Sequence, residues 1–237
     1  MNGELNLSNP FENFTIKEWL LWIVSVVIVT ASNLLSKDIS VLNLSAALIG
    51  VTSLVFAALG NAWSQLLMIV FSCLYGIISW QFKYWGEMIT YLGMTLPMAV
   101  FSMISWIKNP SENKNEVEIQ KLDKYKITAV FVSSIFITGI FCFILYRLNT
   151  PNMLFSTISI WTSFVAAALT MLRSPYYAMG YAANDLVLIV LWVYASMQDT
   201  TYFTVAVNFA IFFLNDIYGF INWKKREKSR SYAGVTL

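Results

Sequence analysis

The chain has 237 residues, of which 58% are hydrophobic and 12% charged; its formal net charge is +2, with no histidine and two cysteines, and its mean hydropathy is +0.63. Soluble domains carry roughly 25% charged residues, so this composition excludes a soluble globular protein and points to one embedded in a bilayer. With no histidine, and with Cys73 and Cys142 both inside apolar runs, a Cys/His zinc site, a Ser-His-Asp triad and a disulfide framework are excluded, and no Walker loop or Gly-x-Gly-x-x-Gly is present.

A helix crosses the hydrocarbon layer in about 20 apolar residues, because only a helix satisfies its own backbone there. Applied along the chain, that rule predicts eight spans: residues 19–36, 41–60, 62–82, 86–107, 127–146, 153–172, 178–197 and 202–223. Residues 1–17 form a polar lead with room for an amphipathic turn around Asn9-Pro10 and Glu12. The span that follows (18–36) starts at the interfacial Trp19 and Trp22 and runs into Lys37-Asp38 without a small-residue cleavage pattern, so it is expected to stay as an extra N-terminal helix. The stretch Tyr75 to Pro110 joins two spans through Gln81, Lys83 and Glu87, and Pro97 loosens the second of them. Residues 108–126, the one sizeable hydrophilic insertion, read as a solvated connector. Residues 127–146 read as a linker helix, and the basic tail 224–237 as a stop-transfer anchor.

The basic residues orient the eight spans. Of the 15 Lys and Arg residues, one side receives Lys17, Lys108, Lys114, Lys121, Lys124, Lys126, Arg173, Lys224, Lys225, Arg226, Lys228 and Arg230, and the other only Lys37, Lys83 and Arg147. That bias places both termini in the cytoplasm. The net charge therefore serves topology, and no nucleic-acid partner is expected.

An internal repeat organises the body. Val51 to Leu59 (VTSLVFAAL) aligns with Trp161 to Leu169 (WTSFVAAAL) at an offset of 110, and Ile104-Ser-Trp-Ile-Lys108 aligns with Ile221-Asn-Trp-Lys-Lys225 at an offset of 117. These anchors define two three-helix units, 41–107 and 153–223, separated by the linker helix. Three helices plus one linker make an even number of crossings, so the two bundles run parallel. Parallel repeats occur in secondary transporters, with the substrate near the midplane between the halves. The predicted architecture is all-α: two parallel three-helix bundles joined by a linker helix, with one extra N-terminal helix.

Three helical faces carry candidate ligand contacts at i, i+3, i+4 spacing. One holds Tyr177, Tyr181, Asn184, Leu188 and Trp192. A second holds Asn208, Phe212, Asn215, Tyr218 and Asn222. The third holds Glu87, Tyr91, Met94, Met98 and Ser105. Amides and phenols beside flat rings suit an uncharged or weakly charged aromatic solute with hydroxyls; the competing reading is that Asn and Ser join helices while aromatics fill the core. Asp185, Asp216 and Glu87 are acids within or near spans, where an isolated charge costs roughly 2.5–3.5 kcal/mol on lenient scales. Proton coupling, a partner such as Arg173 or Lys224, or interfacial placement are the ways to offset that cost.

The string YGIISWQFKYWGEMITYLGMTLPMAVFSMISWIKNP with its following mixed-charge loop, and the later Asn215-Asp-Ile-Tyr218, resemble the PnuC family of nicotinamide riboside transporters over about residues 41–223. Tyr177-Ala-Met-Gly180 stands where many members have Trp-x-x-Trp, which leaves Tyr177, Tyr181 or Trp192 to supply stacking rings. The resemblance implies a fold like that of SWEET sugar transporters and no enzymatic activity. It also implies uptake of nicotinamide riboside across a bacterial inner membrane by facilitated diffusion, with trapping by a cytoplasmic kinase. Sister groups similar in sequence carry thiamine or riboflavin, and ion coupling is the further alternative. The implied partners are the riboside, the lipid bilayer and a small homo-oligomer, with a trimer as the simplest guess; no cofactor or metal is implied. The expected site residues are Asn184, Asn215, Tyr218, Trp192, Tyr181, Tyr177, Tyr91 and Met94. A midplane site for the mononucleotide would need a deep Arg or Lys, and these spans hold none, so the sequence predicts that the phosphorylated form is refused.

Overall fold

A computed structural model describes residues 9–36, 39–112, 115–150 and 152–233, and the side chains as far as residue 229. Lys37 and Lys114, and the side chain of Arg230, used above for orientation, lie outside the described residues. The helices are α1 (Ile16–Leu34), α2 (Val41–Ala58), α3 (Trp63–Gln81), α4 (Trp85–Thr90), α5 (Leu96–Lys108), α6 (Lys124–Arg147), α7 (Met153–Met171), α8 (Tyr177–Ser196) and α9 (Phe203–Ala233). A π-helical turn, Tyr91–Thr95, joins α4 to α5. Counting α4 and α5 together, eight helices among the described residues are long and apolar enough to cross a membrane, which agrees with the number expected.

Local chemistry starts and stops these helices. Thr15 opens α1 in a reciprocal capping box with Glu18, Ser40 accepts from the Asn43 N–H at the start of α2, and Asp123 accepts from the Lys126 N–H at the start of α6. Each satisfies a donor that the first turn leaves free. At the other ends, α2, α3, α6 and α7 close through left-handed residues, Gly60, Lys83, Asn149 and Arg173. Around Arg173 the bonds run from its N–H to Thr170 O and from Ser174 N–H to Leu169 O, the Schellman pattern. The π-turn has a cause in the sequence. Pro97 lacks an N–H, and its ring crowds the carbonyl one turn earlier, so the helix widens just ahead of it.

Packing separates a dense centre from a lipid-facing rim. Helix α8 packs between α7 and α9; α2 packs on α3 and α9, α3 on α5, and α5 on α7. Helix α6 lies outside, against α7, with only Ser134 and Leu145 buried and Phe131, Phe136 and Phe143 facing outward. Helix α1 leans on α2 and α9, and Trp22 donates to Thr52 across that contact.

The segment between α5 and α6 differs from the solvated connector expected. Val117 is fully buried, and its N–H donates to Gly60 O at 2.9 Å, while Gln120 N–H donates to Arg173 O. Arg226, three residues past the last expected span, pairs with Glu116 at 2.9 Å and donates to Val117 O. One charge of the segment, Glu116, and the backbone bonds of Val117 and Gln120 fasten it across the ends of α2 and α7, while Lys121 and Lys124 stay exposed. Burial presses the Arg173 guanidinium below its ordinary value, and the Glu118 carboxylate opposes that shift.

Candidate functional site

Halfway along the bundle, residues from α2, α3, the π-turn, α7, α8 and α9 enclose a cavity lined by Gly50, Phe71, Tyr91, Thr95, Ser163, Tyr181, Asn184, Asp185, Phe209, Phe212 and Asp216, among others. Its free volume is about 30 Å³, room for one water molecule, against roughly 300–1,000 Å³ for pockets that hold drug-sized ligands. The conformation is therefore closed. A much larger cleft of about 580 Å³ lies between α6, α7 and the α5–α6 segment, but its walls are mainly Leu122, Ile127, Val130, Phe131, Val165 and Leu169. Its lining also includes Gln120, Lys121, Ser174, Tyr176 and Glu227, and it lies at the periphery, beside the largely unburied α6.

Asn184 is the most defined polar group in the central cavity. Its Oδ1 accepts from Ser159 Oγ at 3.2 Å and from Thr162 Oγ1 at 2.9 Å, which fixes the amide and leaves its two Nδ2 donors for a ligand. The close approach of α8 to α7 makes this possible. One turn before Asn184, a Cβ on Gly180 would lie 2.9 Å from both Cα and Cβ of Ala166. A side chain there would push the two helices apart, so Gly180 makes the close helix–helix contact.

The rings form a continuous ladder. Phe71 packs edge-on to Tyr91 at 5.9 Å and to Phe212 at 5.7 Å between centroids, and Phe209 meets Phe212 at 5.5 Å. Further aromatic clusters lie beyond the cavity toward each end of the bundle. Toward the ends of α3 and α8, Tyr75, Tyr84, Trp192 and Tyr202 pack on one another. The phenol of Tyr84, which lies between spans, is pushed up by its burial, then by Tyr202 and Glu87. At the opposite, basic end, Trp106, Tyr177 and Trp223 form the second cluster.

Of the residues expected in the site, the cavity brings together Tyr91, Tyr181 and Asn184. Tyr177 stands in the basic-end cluster and Trp192 in the other. Met94 packs with Leu145 and Ile160. Asn215 donates to Ser25 of α1 at 3.0 Å and to Ile211 O, and Tyr218 donates to Glu18 of α1. Helix α1 thus occupies the middle of the α9 face expected to meet a ligand, at Asn215 and Tyr218, while Asn222 donates to Ala58 O of α2. Phe212, on the α9 face expected to carry contacts, does line the cavity; Phe71, Phe209 and the two aspartates line it too and are not among the expected contacts. Arg173 and Lys224 do not offset the buried acids: Arg173 donates to Ser105 and Lys224 pairs with Glu227.

The family described as "Nicotinamide mononucleotide transporter" matches residues 40–225. A protein named nicotinamide riboside transporter PnuC, from Neisseria mucosa, is 26% identical over 192 residues, covering 78% of this chain and 73% of that protein. The crystal structure of the vitamin B3 transporter PnuC is similar with a TM-score of 0.79, covering 91% of this chain and 93% of that one at 24% identity. At that identity the structural likeness speaks for the fold, an all-helical multi-pass membrane body.

Proposed function

Because the chain belongs to the nicotinamide mononucleotide transporter family, we propose that it carries a small unphosphorylated solute, nicotinamide riboside, into the bacterial cytoplasm. One observation carries this choice of substrate: the central cavity offers a fixed amide and a ladder of rings, and neither Lys nor Arg lines it. A carboxamide reads the Asn184 donors, ribose hydroxyls suit Ser163 and Thr95, and a pyridinium ring stacks on aromatic faces. Each stacked ring contributes roughly 1–3 kcal/mol, so two rings and a few amide bonds reach the ~8 kcal/mol of micromolar binding. A phosphate would enter without a counter-ion. The curated relative's name, which specifies the riboside, supports the same choice.

In this reading residues 41–107 and 153–223 are two parallel three-helix bundles around the cavity, with residues 127–146 as the linker and residues 18–36 as an added brace. Residues 1–17 and 224–237 face the cytoplasm, where 108–126 closes the mouth. Transport is by facilitated diffusion, drawn inward by phosphorylation of the arriving riboside, and the chain has no enzymatic activity of its own. A small homo-oligomer, such as a trimer, fits the broad apolar face of α6. The cavity must widen to admit the riboside, so the two aromatic clusters open in alternation. Uptake of labelled riboside into proteoliposomes without an ion gradient tests the proposal: saturable uptake that stops at equal concentrations supports it, and absence of uptake overturns it.

A further inference from the structure

Two carboxyl groups in the cavity wall are left over from ring stacking and amide recognition. Asp185 on α8 and Asp216 on α9 are 4% and 3% exposed, both line the cavity, and the two helices that carry them pack against each other. Oδ2 of Asp185 is buried with no hydrogen-bond partner among the described residues. The phenols of Tyr91 and Tyr181 line the same cavity, and Tyr177 lies one turn before Tyr181 on α8. Two arginines of the basic end are engaged elsewhere, Arg173 with Ser105 and Arg226 with Glu116.

If the pair served only to join α8 to α9, an amide or hydroxyl would do so without placing acid in the middle of a bilayer. An acceptor left without a donor at the wall of a binding cavity instead looks for a ligand. Resting on the riboside reading above, we propose that Asp185 and Asp216 are the counter-charge of the site, making it select a solute whose ring is cationic. The chemistry required is a flat, positively charged heterocycle bearing neutral polar groups. In nicotinamide riboside the positive charge belongs to the pyridinium ring, and it disappears when that ring is reduced to the dihydro form, while ribose and carboxamide stay in place.

The test is titration of the purified protein with both forms of the riboside. The wild type is expected to bind the cationic form at least about ten-fold more tightly than the dihydro form, since removing one partner of a buried charge pair is costly. The double variant Asp185→Asn/Asp216→Asn, which keeps shape and removes the charge of the pair, is expected to weaken the cation by a similar factor and to change the dihydro form by less than about three-fold, while either single variant leaves one carboxyl at the cavity and loses less. The wild-type comparison decides the matter even if a variant does not fold. Equal wild-type affinities for the two forms, or parallel losses in folded variants, overturn the counter-charge and leave the riboside reading standing. Binding of neither form overturns that reading itself.

Discussion

Trp106 and Trp223 lie 5.6 Å apart between ring centroids, and each donates its indole N–H to the end of a helix from the other unit: Trp106 to Thr170 O of α7 and Trp223 to Ala57 O of α2. The residue before each does the same, Ser105 to Met171 O and Asn222 to Ala58 O. The carbonyls of a helix's last turn have no partner within the helix, so two copies of one Ile-x-Trp motif cap two helices by exchange. Trp106→Phe or Trp223→Phe keeps the ring and removes only the indole bond, because Thr170 O and Ala57 O each still accept from the N–H of Arg173 and Gly60, so each should cost about 0.5–1.5 kcal/mol. Thermal unfolding in detergent checks this: lower Tm for each single variant, with non-additive losses in the double variant because the rings touch.

Gly180 sets how near α8 comes to α7. In Gly180→Ala the added carbon meets backbone rather than a side-chain tip, so the helices must part, at a cost of about 1–3 kcal/mol. Asn184, one turn on, should lose its hold on Ser159 and Thr162. Tm and riboside affinity are expected to fall together; a drop in Tm with unchanged affinity would mean that Asn184 does not need this crossing.

The two asparagines expected in the site should separate on mutation. Asn184→Ala removes the donors aimed at the ligand and should weaken riboside binding by roughly 5–100-fold, the equivalent of about 1–3 kcal/mol. Asn215→Ala cuts the bonds to Ser25 and Ile211 O, which should lower Tm and leave affinity within about three-fold. Calorimetric titration of both variants checks this, and the reverse ranking would put α1 at the substrate.

The segment that closes the basic end should depend on Arg226. Arg226→Ala breaks the pair with Glu116 and the bond to Val117 O, so tryptic cleavage after Lys121 and Lys124 should speed up by about five-fold or more as local opening becomes easier. Unchanged cleavage would mean that Val117 burial alone holds the segment down.

The spans were legible because a bilayer imposes one length and one polarity on every crossing, and the Ile-x-Trp repeat was legible because both copies make the same bonds. The site was legible only in part. The stripe from Tyr177 to Trp192 was read correctly as one helix face. At 1.5 Å per residue, however, it extends about 22 Å, far longer than one small solute, so only its middle, Tyr181 and Asn184, reaches the cavity. Periodicity finds a face but not the neighbour it meets, which is why α1 could take Asn215 and Tyr218. Gly50 was an unused signal: a Cβ there would lie 2.5 Å from Phe212 and 3.2 Å from Phe71, marking where the ring ladder crosses α2. The α5–α6 segment was misjudged because its charges look the same in sequence whether they face water or pair with Arg226.

The central claim is that a ring-lined midplane cavity without a basic residue passes the riboside and refuses its phosphate. Side-by-side uptake of labelled nicotinamide riboside and labelled nicotinamide mononucleotide into proteoliposomes tests it most directly. The account predicts saturable riboside uptake with mononucleotide entry no faster than in protein-free vesicles, and comparable uptake of the two would contradict it.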